Sequence, residues 1–133
     1  GFTEVYNYSF FSDEMLKAFR LDPASLVEVS NPIASDQRFL RDSLVPGFWK
    51  NIVDNVRHLD QFRFFETGKE IHKRPNLPPE ERPRFLAAIY TRQDGASALF
   101  ELKRLAECLL KTARVDMDAE PRGFEHPHRV GRV

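Results

Sequence analysis

The sequence predicts an α+β domain with one mainly antiparallel sheet and helices packed on its surface. A run from Gln61 to Lys73 alternates its side chains with the period of two that marks a strand. Two other stretches, Leu44–Leu59 and Leu99–Leu110, repeat apolar residues at spacings of three and four, the period of an amphipathic helix. Strands interleaved with helices that each cover one face are typical of this class.

The first third of the chain predicts short elements. Thr3–Phe11 alternates along its length and indicates one strand with an aromatic face. Ser12 is placed to cap a short helix, Glu14–Phe19, through its hydroxyl. Leu26–Val29 is apolar enough for a second strand. Asn31-Pro32 ends it, because proline disfavours helical backbone at the residue before it.

The Leu44–Leu59 helix has the widest apolar surface in the chain. Ser43 can cap it, and Pro46 falls in its first turn, where no backbone N–H is needed. Trp49 and Val53 widen the apolar face. So much apolar surface predicts that a sheet covers one side of this helix. A partner protein is a candidate to cover the other side. Trp49 itself has two open interpretations, a core residue or an interface anchor.

The second half of the chain predicts a strand, a loop, a strand and a helix. Phe62 and Phe64 fall on one face of the Gln61–Lys73 strand and Arg63 on the other. Residues Pro75–Pro83 include four prolines among nine residues and predict a loop, since proline cannot donate to a strand ladder. The remaining predictions are a buried strand at Phe85–Tyr90, core packing for Cys108 in the last helix, a strand opening at Val115–Met117 and a basic tail at Arg122–Val133.

Composition restricts the function classes. The 133 residues make one domain, 1–133, with 41% hydrophobic residues and 12 phenylalanines against three tyrosines and one tryptophan. The formal net charge is zero, which argues against a nucleic-acid grip by the domain itself. One cysteine fits a reducing cytosol, and no apolar run approaches the roughly 18 residues of a membrane span. Because the chain does not begin with Met, we expect a piece of a longer protein.

Five segments, taken in order, resemble one family. They are Asn7-Tyr8-Ser9-Phe10, the run from Asn31-Pro32 to Leu40-Arg41-Asp42-Ser43-Leu44-Val45-Pro46-Gly47, Phe65-Glu66-Thr67-Gly68-Lys69, Phe100-Glu101-Leu102-Lys103 and His126-Pro127-His128-Arg129. Together they resemble the synthetase-like core of the bacterial phenylalanyl-tRNA synthetase beta chain. The resemblance covers about residues 3–133.

The resemblance implies a fold, a partner and an interface. The fold is the antiparallel sheet of class II aminoacyl-tRNA synthetases with flanking helices, truncated here, because in the family more strand and a further helix follow. The partner is the alpha chain, which binds ATP and Mg, and tRNA is contacted only through the full assembly. The subunit-interface positions implied are Arg41, Leu44, Pro46, Phe48, Trp49, Ile52, Val53 and Val56.

Residues for amino-acid activation are out of register in this chain. Active class II synthetases carry Phe-Arg-x-Glu on a strand, whereas here Arg63 and Glu66 are separated by two residues. Side chains alternate along a strand, so we expect Arg63 and Glu66 on opposite faces, unable to hold one nucleotide together. These two are degenerate ATP-strand positions, and no catalytic residue is predicted.

The sequence gives only weak signals for a carboxylate pair or a metal site. Glu66 and Glu70 share a strand face and could form a carboxylate pair, but a solvated face beside Lys69 and Lys73 is the simpler interpretation. The four histidines show no metal-ligand spacing, so no metal site is predicted.

Two functional hypotheses follow. The first is a structural, non-catalytic core that pairs with the alpha chain in the cytoplasm and needs no cofactor of its own. The rival is a free-standing interaction or small-ligand-binding module, which a pocket with ordered polar groups around Arg63, Glu66 and Tyr90 would favour. In isolation the fragment is also expected to self-associate through the long helix or an open strand edge.

Overall fold

The computed structural model describes residues 1–32, 34–93 and 95–111. Within that part the elements run in the order β1 (Thr3–Glu4), β2 (Phe10–Phe11), α1 (Asp13–Phe19), β3 (Val27–Glu28), β4 (Phe39–Leu40), α2 (Val45–Asn55), β5 (Gln61–Arg74), β6 (Leu77–Thr91) and α3 (Gly95–Leu110). This mixture of helices and sheets confirms the α+β prediction. The predictions for Val115–Met117 and for the tail Arg122–Val133, with its two histidines, lie outside the described residues.

The larger sheet is built on one long hairpin. β5 and β6 pair antiparallel from Gln61 opposite Thr91 to Arg74 opposite Leu77. β1 lies parallel to β5 on its other side, with Thr3 opposite Phe64. β5 is therefore the central strand of the three, as predicted, and the sheet is mainly but not wholly antiparallel.

The predicted loop at Pro75–Pro83 is wrong. Only Pro75 and Asn76 lie between the strands, and Asn76 adopts a φ of 58°, a left-handed conformation that asparagine tolerates in a turn. β6 continues through the other prolines because it is an edge strand among the described elements, so a missing N–H can face away from the ladder. The pairing of β5 with β6 has an irregular register between His72 and Arg74, close to this turn.

The predicted single strand Thr3–Phe11 divides between two sheets. β1 joins the larger sheet, whereas β2 joins a small antiparallel sheet in the order β2-β4-β3. The residues between them cross from one sheet to the other, which a period-two pattern alone does not reveal. The strand predicted at Leu26–Val29 is confirmed in shorter form as β3.

Two apolar clusters form the core. The first belongs to the small sheet and α1, and contains Phe11, Leu16, Leu26 and Phe39. The second lies between α2 and one face of β5–β6, where Phe48 packs against Phe62 and Phe64. Stacked rings extend it, with centroids 4.4 Å apart for Phe62–Phe64 and 5.0 Å for Phe62–Tyr90. The even-numbered face of β5 is thus the core face near α2.

The two longer helices cover opposite faces of the hairpin. α2 ends at Asn55, earlier than predicted, and Pro46 lies in its first turn as expected. Ser43 Oγ accepts a hydrogen bond from the backbone N–H of Val45 at 3.2 Å, although Leu44 occupies the cap position itself. α3 packs against β6 on the opposite face.

The outer face near α3 is less covered than the sequence suggested. Phe85 is exposed and Leu86–Tyr90 are half-buried, so the predicted buried strand is only partly enclosed. Cys108 is exposed, which contradicts the predicted core position. β6 lies at the edge of the larger sheet, and no further described strand lies beyond it.

Candidate functional site

Arg63 and Glu66 project from opposite faces of β5, which confirms the register argument. Arg63 lies on the face covered by α3 and donates two hydrogen bonds to the Glu101 carboxylate, at 2.8 Å from Nε and 3.0 Å from Nη2. Glu66 lies on the other face, with Phe62 and Phe64. The two side chains cannot converge on one bound molecule.

The Arg63–Glu101 pair is partly exposed to solvent and is joined by two hydrogen bonds. The hydrogen bonds to Glu101 raise the pKa of the Arg63 guanidinium, and the same bonds lower the pKa of the Glu101 carboxyl. Because both pKa values move away from neutrality, the pair stays ionised throughout the physiological range. Its chemistry is that of a tether between β5 and α3, with no group poised to transfer a proton.

Glu66 is one of the most deeply buried side chains of the described residues, at 1% exposure. Its Oε1 accepts a hydrogen bond from Arg41 Nη1 at 2.7 Å and its Oε2 accepts one from Asn7 Nδ2 at 2.8 Å. The interpretation of Glu66 as part of a solvated strand face is therefore wrong. The sequence did carry a signal for burial, since Glu66 shares its strand parity with Phe62 and Phe64.

Arg41 joins the two sheets through this pair. Its Nε donates to the Lys69 carbonyl at 3.0 Å, and its own carbonyl accepts from the Ile71 N–H at 2.8 Å. Its backbone N–H donates to the Ser9 carbonyl at 2.9 Å, at the start of the small sheet. Buried charges are tolerated when they are paired and hydrogen-bonded, and Arg41 meets both conditions.

Glu66 and Glu70 do not form a carboxylate pair. Glu70 Oε2 lies 3.2 Å from His72 Nε2 and accepts a hydrogen bond from Arg84 Nε at 2.9 Å, whereas Glu66 accepts hydrogen bonds from Arg41 and Asn7. No group of three or more His, Cys, Asp or Glu side chains in residues 1–32, 34–93 and 95–111 is arranged to hold a metal ion.

The rival's pocket around Arg63, Glu66 and Tyr90 is not assembled. Tyr90 stacks on Phe62 and lies on the core face, across the strand from Arg63. Glu66 is already enclosed by Arg41 and Asn7.

The eight predicted interface residues fall into three groups. Buried are Arg41, Leu44, Pro46 and Phe48; half-buried are Ile52 and Val56, which pack on the second cluster; exposed are Trp49 and Val53. The buried members pack inside this chain and have almost no surface left for another chain. Of the eight, Trp49 and Val53 expose the largest fraction of their surface to another chain in this conformation.

Trp49 and Val53 form an exposed apolar stripe on α2, at 54% and 40% exposure. The core interpretation of Trp49 is therefore wrong. The stripe lies along a groove of about 240 Å³ between α1 and α2, floored by Met15 and Ala18. A second groove of about 440 Å³ continues past Trp49 toward Phe19. Asp42 lies at this second groove, and burial raises the pKa of its carboxyl.

The fold of this chain, a long two-stranded hairpin with helices on both faces, is similar to that of a solved synthetase structure. The chain aligns with the structure of the pyrrolysyl-tRNA synthetase PylSc of Desulfitobacterium hafniense at a TM-score of 0.60 and 15% identity, covering 86% of this chain and 42% of that one. The likeness shows that this chain shares the fold of that synthetase.

The family assignment is more specific. The model of the family described as "Phenylalanyl tRNA synthetase beta chain CLM domain" matches residues 1–133, and the chain belongs to this family. It is 52% identical over 134 residues to the phenylalanine–tRNA ligase beta subunit of Solibacter usitatus, covering all of this chain and 17% of that protein. The beta subunit of Dehalococcoides mccartyi is 28% identical over 146 residues, covering 98% of this chain and 18% of that protein. The chain thus spans less than a fifth of the length of these relatives.

Among the described residues no helix is long and apolar enough to cross a membrane.

Proposed function

We propose that this chain is the structural, non-catalytic synthetase-like core of a phenylalanine–tRNA ligase beta chain. The observation that carries the proposal is the opposition of Arg63 and Glu66 on β5. A nucleotide site needs its cation and carboxylate on one face, aimed at the charge that develops during reaction. Here the two side chains form ion pairs with different residues: Arg63 pairs with Glu101, and Glu66 pairs with Arg41.

The alpha chain would then carry out amino-acid activation. That chain would bind ATP and Mg, and tRNA would be contacted only by the full assembly in the cytoplasm. The present domain would supply a rigid surface for pairing. The buried Arg41–Glu66 link supports this role, because it ties the small sheet to the hairpin on which α2 rests.

Pairing would use the exposed stripe of α2. Trp49 and Val53 lie beside an apolar groove, and tryptophan is enriched at the centres of protein interfaces. The half-buried and buried members of the predicted interface would hold α2 on the sheet and set the position of the stripe. Without the alpha chain, the same stripe would favour self-association.

ATP–pyrophosphate exchange with phenylalanine tests the non-catalytic assignment. The isolated chain is expected to show only background exchange, and Arg63→Ala should change nothing. Exchange above background that disappears in Arg63→Ala would overturn the assignment.

Co-purification with the alpha chain tests the pairing. In the beta chain as it is encoded, Trp49→Ala and Val53→Asp should each weaken pairing, by about 2 kcal/mol or more if Trp49 is an anchor. Leu77→Ala, an exposed apolar residue at the hairpin turn, is the matched control and should leave pairing unchanged. If Trp49→Ala and Val53→Asp pair with the alpha chain as tightly as Leu77→Ala does, the proposed interface is refuted.

A further inference from the structure

A pocket of about 370 Å³, here named the basic pocket, lies beside α1. Its walls include Lys17 and Arg20, whereas the groove beside Trp49 is lined by Met15 and Ala18 on a different face of the same helix. The basic pocket is therefore separate from the proposed pairing surface on α2.

The lining of the basic pocket carries an excess of positive charge. Its charged residues are three cations, Lys17, Arg20 and Arg38, and one carboxylate, Asp13. Three positive charges against one negative charge leave two positive charges at this pocket, in a chain whose formal net charge is zero. A local excess of one sign of charge in a concave surface attracts a ligand of the opposite sign.

The cations of the basic pocket are poorly compensated by carboxylates of the chain. Lys17 and Arg20 form no ion pair among the residues that the structure describes. Arg38 Nη1 lies 3.7 Å from Glu28 Oε1, which is too far for a hydrogen bond. By contrast, Arg92 Nη1 lies 3.1 Å from a carboxylate oxygen of Asp60. The N–H donors of the three cations are therefore available to a ligand.

Two of the cations are held at defined positions. The guanidinium carbon of Arg38 lies 5.0 Å from the ring centroid of Phe39, which is buried in the first apolar cluster. Arg20 is the C-cap of α1 and has a φ of 52°, a left-handed conformation that glycine or asparagine adopts more readily. A cation at such a backbone position motivates a functional interpretation of its side chain.

Stabilisation of the α1 dipole explains only part of this arrangement. Cations are favourable near the C-terminus of a helix, where Lys17 and Arg20 lie. That effect does not account for Arg38, which directly precedes β4 and reaches the same pocket from outside the helix.

We infer that the basic pocket binds a phosphate group. A phosphate monoester or inorganic phosphate carries a charge of about −1.5 to −2 near pH 7, which matches the excess charge of the lining. Guanidinium groups fit phosphate oxygens with paired N–H donors, and the Lys17 ammonium adds a point charge. Free phosphate ions and the phosphodiester backbone of RNA share this chemistry, and the experiment distinguishes them. The inference does not depend on the proposed function, since no residue of the basic pocket belongs to the predicted interface.

Acetylation of lysine side chains, measured residue by residue by mass spectrometry, reports occupancy of the basic pocket in the assembled enzyme. A bound phosphate group covers the Lys17 ammonium. Lys17 should therefore react about threefold more slowly when inorganic phosphate is present at about twice its dissociation constant. Lys69, an exposed lysine that pairs with Glu81 on the hairpin, is the internal control and should react at an unchanged rate.

Variants of Arg20 test whether the cations act together. Arg20→Asn removes one cation and keeps a residue that tolerates left-handed backbone, so it should weaken phosphate affinity by about fivefold. Arg20→Lys retains the charge and should keep most of the affinity. Arg57→Gln, which changes an exposed arginine outside the pocket, is the matched control and should leave protection of Lys17 unchanged. Because Arg20 is exposed, urea unfolding should show wild-type stability for all three variants.

Three probes are compared: inorganic phosphate, a mixed-sequence RNA oligonucleotide and a glutamate-rich peptide of the same charge. Protection of Lys17 by inorganic phosphate alone supports the inference and identifies a free ion as the ligand. Protection by RNA at a lower concentration of phosphate groups supports it and identifies an RNA backbone. The inference is overturned if no probe protects Lys17, if Lys69 slows equally, or if Arg57→Gln weakens protection as much as Arg20→Asn. Protection by the peptide as strong as that by either phosphate probe also overturns it.

Discussion

Arg41 Nη1 and Glu66 Oε1 lie 2.7 Å apart in the interior, with both side chains almost inaccessible to solvent. They are separated by 25 residues in the chain and belong to different parts of the fold. The guanidinium also bonds to the Lys69 carbonyl, so the pair joins the small sheet region to the hairpin.

Removing either partner of this pair should strongly destabilise the domain. Arg41→Met or Glu66→Leu leaves one buried charge without compensation, which costs about 3–5 kcal/mol. The double variant Arg41→Met, Glu66→Leu removes both charges and should lose less than the sum of the single losses, by about 1–3 kcal/mol. Urea unfolding of the four proteins measures this coupling. Strict additivity would contradict a direct link.

Gly68→Ala should destabilise the domain through Arg41. A Cβ at Gly68 would overlap Arg41 Nη2 and lie 3.0 Å from Leu44 Cδ2. The guanidinium is held by Glu66 and the Lys69 carbonyl, so it cannot simply swing away, and we expect a loss of about 1–3 kcal/mol. The matched background is Arg41→Met, in which Gly68→Ala should cost clearly less. An equal cost in both backgrounds would show that the close approach is not the cause.

Adjacent residues of α2 should respond differently to truncation. Phe48 is buried in the second cluster, so Phe48→Ala should cost about 3–5 kcal/mol of unfolding free energy. Trp49 is half-exposed, so Trp49→Ala should cost less than about 1 kcal/mol in the isolated chain. Urea unfolding of the two variants is the measurement. A large loss for Trp49→Ala would mean that the ring is core and not an accessible anchor.

Asp42 should make stability depend on pH in an unusual direction. Its Oδ1 is buried without a hydrogen-bond partner, and burial raises the pKa of the folded carboxyl above 3.8. The folded state therefore holds this proton to higher pH than the unfolded state does. The contribution of Asp42 is most favourable at low pH and falls as pH rises through the interval between the two pKa values.

Asp42→Asn removes that titration. Relative to the wild type, the variant should gain stability as the pH rises from 3 to 7, measured by urea unfolding at each pH. A gain that instead grows toward low pH would contradict a raised pKa in the folded state.

The sequence alone determined the class of fold. It also determined that the ATP-strand positions Arg63 and Glu66 cannot face one bound nucleotide. Period-two alternation in β5 and period-3.6 repeats in α2 and α3 are local consequences of backbone geometry, so they survive in any tertiary context. The same alternation predicts that Arg63 and Glu66 lie on opposite faces of the strand. The ordered motifs from Asn7-Tyr8-Ser9-Phe10 onward indicated the family that the whole-chain match later confirmed.

Tertiary structure decided which side chains are covered. Trp49 is exposed and Phe48 buried because the sheet occupies only one side of α2, and the sequence pattern does not state which side. β6 accepts Pro78, Pro79 and Pro83 because it lies at an edge, a property of strand order and not of composition. Arg41 meets Glu66 only because two sheets are brought together across 25 residues, and no local pattern encodes a contact between distant segments.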